Sequence, residues 1–173
     1  PGAIQSGLLR ALGPGSAPAT PSDHWRAELA AARAERARSG EDLERDARVP
    51  MSEHRLIAEV RRFLPRDAIF VVDGNRILET VQQRMPSHVP VSRLTPGKNG
   101  CMGVGVPFGI GAKLAHPDRT VVVVTGDFAF GLNAMEMETA VRLRVPILVV
   151  VSNNDGNGGG RSERKFYPGN ADR

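Results

Sequence analysis

The sequence predicts an α/β fold, a parallel sheet flanked by helices, read here as a partial domain of a larger protein. Two apolar runs and the segment between them carry that prediction. Val121 to Val124 and Ile147 to Val151 are short, continuous and β-branched, as strands buried on both faces tend to be. Between them, Leu132 to Leu143 sets Ala134, Met137, Ala140 and Val141 at helical spacing, and Pro146 stops the helix. A strand–helix–strand crossover of this length is almost always right-handed and makes its two strands parallel.

Parallel strands end on the same sheet edge. Gly126-Asp127 and Asn153-Asn154-Asp155-Gly156 lie just past the two ends, where open α/β sheets bind ligands. Asp127 alone would be read as a helix cap, and Asn153-Asn154 alone as a turn. Together they offer one carboxylate, one amide oxygen and the carbonyls of a Gly-rich turn, a hard-oxygen set suited to Mg²⁺. One carboxylate does not neutralise a dication, so a bound di- or triphosphate is the natural complement.

Earlier elements follow the same logic. Pro1 to Leu12 reads as the closing helix of a preceding domain, with Ile4, Leu8, Leu9 and Leu12 on one face, and residues 13–21 read as a linker. Residues 22–49 are a charged connecting helix, capped by Ser22 or Asp23, with Trp25, Leu29 and Ala32 as its apolar stripe. From residue 50 to 173 the chain reads as one ligand-binding domain, incomplete at its C-terminus. It opens with a helix from Met51 to Leu64 capped by Ser52, then a buried strand from Ala68 to Val72. Asp73-Gly74-Asn75 again falls past a strand end; a helix over Ile77 to Arg84 and a short strand over Val89 to Leu94 follow.

Gly103, Gly105 and Gly109 superficially suggest a dinucleotide fingerprint. That fingerprint needs a strand immediately before it, and Thr95 to Asn99 is a polar loop containing Pro and Gly. The better account is a loop followed by a small-residue helix, Val104 to Leu114.

Bulk properties limit the function classes. The formal charge is +4 and the sequence pI about 10.0. The arginine excess is dispersed without aromatic interleaving, which argues against nucleic-acid binding and suits a phosphorylated substrate. A single cysteine excludes an internal disulfide and fits a cytoplasmic location. With no apolar run of membrane-spanning length and no signal-peptide pattern, neither a membrane partner nor secretion is expected.

Gly126-Asp127, then 24 residues after Phe128, then Asn153-Asn154, resembles the cofactor motif of thiamine diphosphate enzymes. The wording GDFAFGLNAMEMETAVR is most similar to the acyl-CoA branch, 2-hydroxyacyl-CoA lyases and oxalyl-CoA decarboxylases, and the likeness extends upstream through Gly100-Cys101-Met102-Gly103-Val104-Gly105. The resemblance implies thiamine diphosphate and Mg²⁺ as cofactors. It implies Asp127, the Asn154 side chain and the Gly156 carbonyl as metal ligands, with Gly126, Phe128 and Ala129 beside the diphosphate and Asn75 near it. Gly100 and Met102 would hold the aminopyrimidine through their backbone, and Met102 would be the wedge that bends the cofactor into a V.

By the same resemblance the reaction is cleavage or formation of a 2-hydroxyacyl-CoA, with an aldehyde or ketone and formyl-CoA on the other side. The alternatives are an oxalyl-CoA decarboxylase, an acetohydroxyacid-synthase-like enzyme, or a non-catalytic diphosphate-binding domain for regulation or assembly. An N-terminal pyrimidine-binding domain, in the same or a partner subunit of a homodimer or homotetramer, would supply the activating glutamate. None of Glu136, Glu138 and Glu163 fits that role. Phe128 departs from the Gly or Ser usual in relatives, and Ala129 replaces a hydroxyl residue, which points to a reshaped acyl pocket.

Overall fold

The computed structural model describes residues 22–156. The expectations for Pro1 to Leu12, for residues 13–21 and for the tail from Asn157 onward, Glu163 included, lie outside them. The chain divides into two compact units after Glu41. In the first, helix α1 (Asp23–Arg45) begins, and Ser22 is its cap, accepting from the Trp25 amide at 3.2 Å. Trp25 and Leu29 remain exposed.

The second unit is a four-stranded parallel sheet in the order β2-β1-β3-β4, with β1 at Ile69–Asp73, β2 at Arg93–Leu94, β3 at Val121–Gly126 and β4 at Leu148–Ser152. β1 and β3 sit at the centre, and their side chains alternate between two helical layers. Phe70, Val72, Val122 and Val124 pack against Ile57 of helix α2 (Glu53–Phe63) and Ile77 and Val81 of helix α3 (Arg76–Arg84). Ile69, Val71, Val121 and Val123 face the other way, toward Ala112 of helix α4 (Gly105–Ala115). Burial on both faces is why these strands read as unbroken apolar runs.

Small residues bring α4 close to the sheet. A Cβ on Gly109 would lie 2.5 Å from Val123 Cγ2. The loop-then-helix reading holds here, because α4 follows a 3₁₀ turn (Gly97–Asn99) and not a strand. Among the described residues no helix is long and apolar enough to cross a membrane.

Three elements differ from expectation. The crossover helix starts at Asp127, five residues early by the expectation from Leu132, and divides into α5 (Asp127–Asn133) and α6 (Glu136–Arg142). Gly126 is its cap in extended conformation and Asp127 its first residue, with Oδ1 accepting the Phe128 amide at 2.8 Å, and Gly131 and Asn133 are weak helix formers where it breaks. β2 is two residues long because Val91 sits at φ 53°, a conformation β-branched residues avoid. Among the described residues β4 pairs with β3 alone, and Leu148 and Val151 are exposed where a fully buried strand was expected.

Candidate functional site

The C-terminal ends of β1 and β3 lie side by side, with Asp73 opposite Thr125, and β4 brings Ser152 opposite Gly126. The cleft above them has a floor without side chains. Gly74 adopts φ 106°, and a Cβ on it would lie 3.2 Å from the Gly126 amide nitrogen, so only glycine suits that place. A Cβ on Gly126 would meet nothing within 4 Å. The open space over Gly126 is room for a ligand approaching the backbone.

Asn75, Met102, Gly126, Asp127, Phe128, Ala129, Asn154 and Gly156, all singled out from the sequence, line this one cleft. Gly100 does not. It closes the 3₁₀ turn at φ 62°, outside the cleft lining.

Asp127, Asn154 and Gly156 converge. The Gly156 amide donates to Asp127 Oδ2 at 2.7 Å across 29 residues of sequence. The turn carrying Gly156 is shaped by the Asp155 amide donating to Asn153 Oδ1 at 3.0 Å and by positive φ at Asp155 and Gly156. The Asn154 side-chain oxygen faces Asp127 Oδ1 and the Gly156 carbonyl oxygen, each 3.0 Å away. Rotating the amide would let its nitrogen donate to both oxygens. In the unrotated form the Asn154 oxygen lies 3.0 Å from each of the other two oxygens, and adjacent ligands of an octahedral ion bound at about 2.1 Å are separated by about 3.0 Å. The residues therefore fit Mg²⁺. Among the described residues no group of three His, Cys, Asp or Glu side chains could hold a metal, so the amide and carbonyl oxygens are essential to such a site.

Met102 is half-buried at the cleft wall. The loop behind it is fastened to Asp73, a buried carboxylate at the end of β1, whose Oδ2 accepts the Gly103 amide at 2.9 Å and the Gly105 amide at 2.7 Å. The sequence reading passed over Asp73 in favour of Asn75. The available signal was a carboxylate ending an apolar strand, which must find donors if it is to stay charged in the interior.

Glu53, Arg76 and Ser152 also line the cleft and were not singled out. Glu53 opens α2, and its carboxylate accepts long hydrogen bonds from Thr80 Oγ1 at 3.3 Å and Ser152 Oγ at 3.5 Å. Nothing local in the sequence marks it, since Ser152 is 99 residues away. Arg76 places a guanidinium among the cleft residues, a charge suited to an anionic ligand. Glu138 is exposed and paired with Arg142 at 3.0 Å.

Comparisons with known proteins converge on one family. The thiamine pyrophosphate enzyme, C-terminal TPP binding domain, matches residues 74–170, more than half the chain. The chain is similar to 2-hydroxyacyl-CoA lyase 1 of Dictyostelium discoideum, 46% identical over 90 residues, covering 52% of this chain and 16% of that protein. It is also similar to the acetolactate synthase large subunit of Mycobacterium tuberculosis, 37% identical over 139 residues, covering 77% of this chain and 25% of that one. Among solved structures, a thiamine diphosphate-dependent 4-hydroxybenzoylformate decarboxylase of Rhodococcus jostii RHA1 matches with a TM-score of 0.62 and 26% identity, covering 72% of this chain and 24% of that chain. The chain thus spans a quarter or less of these relatives' length.

Proposed function

Because the chain belongs to the thiamine pyrophosphate enzyme family and carries its C-terminal TPP binding domain, we propose that it serves a Mg²⁺-dependent carbon–carbon lyase that converts a 2-hydroxyacyl-CoA to an aldehyde or ketone and formyl-CoA. The observation that supports a metal–diphosphate site is the approach of the Asn154 side-chain amide to Asp127 Oδ1 and the Gly156 carbonyl beside Gly74 and Gly126, with Met102 at the wall. The choice of acyl-CoA among the family's substrates rests on the likeness to 2-hydroxyacyl-CoA lyases from several organisms.

Thiamine diphosphate supplies the carbanion stabilisation that lets a carbon–carbon bond beside a carbonyl break. The chain's part is to bind and orient. Asp127, the Asn154 oxygen and the Gly156 carbonyl hold the cation, which neutralises the diphosphate. Gly126 and Ala129 let backbone approach the phosphates, and Asn75 borders them. Met102 shapes the cofactor from the side, and Phe128, exposed at the cleft, borders the acyl group. A pyrimidine-binding domain of the same or a partner subunit completes the site and contributes the activating glutamate.

A second reading, an acetolactate-synthase-like ligase, is favoured by one observation: that alignment covers 77% of the chain against 52% for the lyase. One experiment separates the two. The full-length protein, with Mg²⁺ and thiamine diphosphate, is offered a 2-hydroxyacyl-CoA, oxalyl-CoA and pyruvate in parallel. Formyl-CoA with an aldehyde or ketone supports the lyase; carbon dioxide from oxalyl-CoA indicates the decarboxylase; acetolactate from pyruvate indicates the synthase. Turnover of none, with cofactor bound, would sink all three and favour a non-catalytic role.

A further inference from the structure

We propose that Asp73 is a positioning residue for Met102: it fixes the backbone from which Met102 reaches the cleft, and acts on the reaction only through that side chain. This rests on the cofactor reading above. Asp73 is 1% exposed, at the last position of a central strand, so its location is set by the most rigid part of the fold. Its Oδ2 takes the amides of Gly103 and Gly105, which immediately follow Met102 and flank Val104.

Asn133 completes the clamp from the opposite side. Its Nδ2 donates to the Gly103 carbonyl at 2.6 Å, so Gly103 is held through its own amide and its own carbonyl. The glycines are required by the geometry. Gly103 sits at φ 94°, and a Cβ there would lie 3.0 Å from Leu132 Cβ, while a Cβ on Gly105 would lie 3.0 Å from Asp73 Cβ.

Methionine has three freely rotating side-chain bonds and adapts readily to its surroundings. It serves as a fixed wall of the cleft only if its backbone is held. The clamp begins one residue after Met102, and its anchor is the same strand end that carries the Gly74 floor. One carboxylate therefore ties the wall of the cleft to its floor. Asp73 Oδ1 is buried without a hydrogen-bond partner, so the carboxylate's bonding within the protein is devoted to this loop.

The test is a double-mutant cycle in the full-length enzyme, using Asp73→Asn, Met102→Ala and the pair. It is read by calorimetric binding of thiamine diphosphate with Mg²⁺, near-ultraviolet circular dichroism of the bound cofactor, and kcat. Asp73→Asn keeps an acceptor but sets an amide where Oδ1 was. It should lower kcat by about 10-fold or more, change the cofactor's dichroism in the same sense as Met102→Ala, and leave the affinity within about 3-fold, since the metal end is untouched. The double variant should be no worse than Met102→Ala alone.

Additive losses, or a fall in unfolding temperature with unchanged dichroism, would make Asp73 a structural residue only and overturn the proposal. Should Asp73→Asn not fold, Asn133→Ala removes the exposed arm of the clamp and must show the same non-additivity with Met102→Ala. A wild-type enzyme that binds no thiamine diphosphate overturns the cofactor reading and this proposal together. Binding with additive losses overturns this proposal alone.

Discussion

The amide of Gly156 donates to Oδ2 of Asp127 at 2.7 Å, although the two residues belong to turns beyond different strands. The bond leaves Asp127 Oδ1 turned toward the Asn154 side-chain oxygen. With the Phe128 amide donating to Oδ1 at 2.8 Å, both carboxylate oxygens are held by backbone amides, which fixes the orientation a small, geometrically demanding cation needs.

Asp127→Asn should weaken Mg²⁺-dependent binding of thiamine diphosphate by more than about 100-fold, beyond the cost of losing an outer partner of a metal ligand. Titration calorimetry on the full-length protein, with and without Mg²⁺, measures this. Wild-type affinity in the variant would remove Asp127 from the metal site.

Phe128 is 42% exposed at the cleft. Phe128→Ser should change the ranking of 2-hydroxyacyl-CoA substrates by chain length, with a bulky acyl group gaining about 10-fold in relative kcat/KM, the scale of one or two methylenes in an apolar pocket. Competition assays with paired substrates give the ranking directly, and an unchanged order would acquit Phe128 of shaping the pocket.

Glu44 is held by both guanidiniums of Arg61 and Arg84, at 2.8 and 2.6 Å, with its side chain only 10% exposed. Burial pushes its carboxyl up, but the hydrogen bonds and charges of Arg61 and Arg84 outweigh this and hold it below the ordinary 4.5. Its contribution to stability is therefore complete above 4.5 and is lost as the pH falls through the lower folded value. Glu44→Gln should cost about 1–3 kcal/mol near neutrality, and the gap to wild type should narrow in acid. Denaturant midpoints at several pH values check both the size and the sign.

Gly109→Ala should destabilise by about 1–3 kcal/mol, the usual cost of overpacking, because its Cβ would press on Val123, which is fully buried in the central strand. Gly111→Ala, one turn face away where a Cβ meets nothing within 4 Å, is the control and should be neutral or slightly stabilising. Equal unfolding temperatures for the two variants would contradict the close approach of α4 to the sheet.

The sheet was legible because its central strands are sandwiched, and sandwiched strands leave uninterrupted β-branched runs. The meeting of Asp127 and Asn154 at one edge was legible because a crossover of fixed hand brings them there without any knowledge of side chains. Asp73 and Glu53 were not, since their partners are 30, 32 and 99 residues away and only packing brings them together. The early start of α5 was hidden because Asp127 serves both as a first-turn acceptor and as a cleft residue, and one residue type satisfies both patterns. Val91 misled for a simpler reason. A β-branched residue in a short apolar stretch signals a strand, yet here it lies at positive φ and ends the pairing.

The half-exposed strand β4 has a consequence for how loading of the site is detected. Among the described residues it is hydrogen-bonded to β3 alone, and the turn that follows it carries the Asn154 side chain and the Gly156 carbonyl. A ligand that binds only the paired arrangement adds its own free energy to that strand, about 2.7 kcal/mol when present at a hundred times its dissociation constant. Cofactor binding would then tighten β4 itself, and amide exchange and proteolytic nicking there would report the loading state of the site.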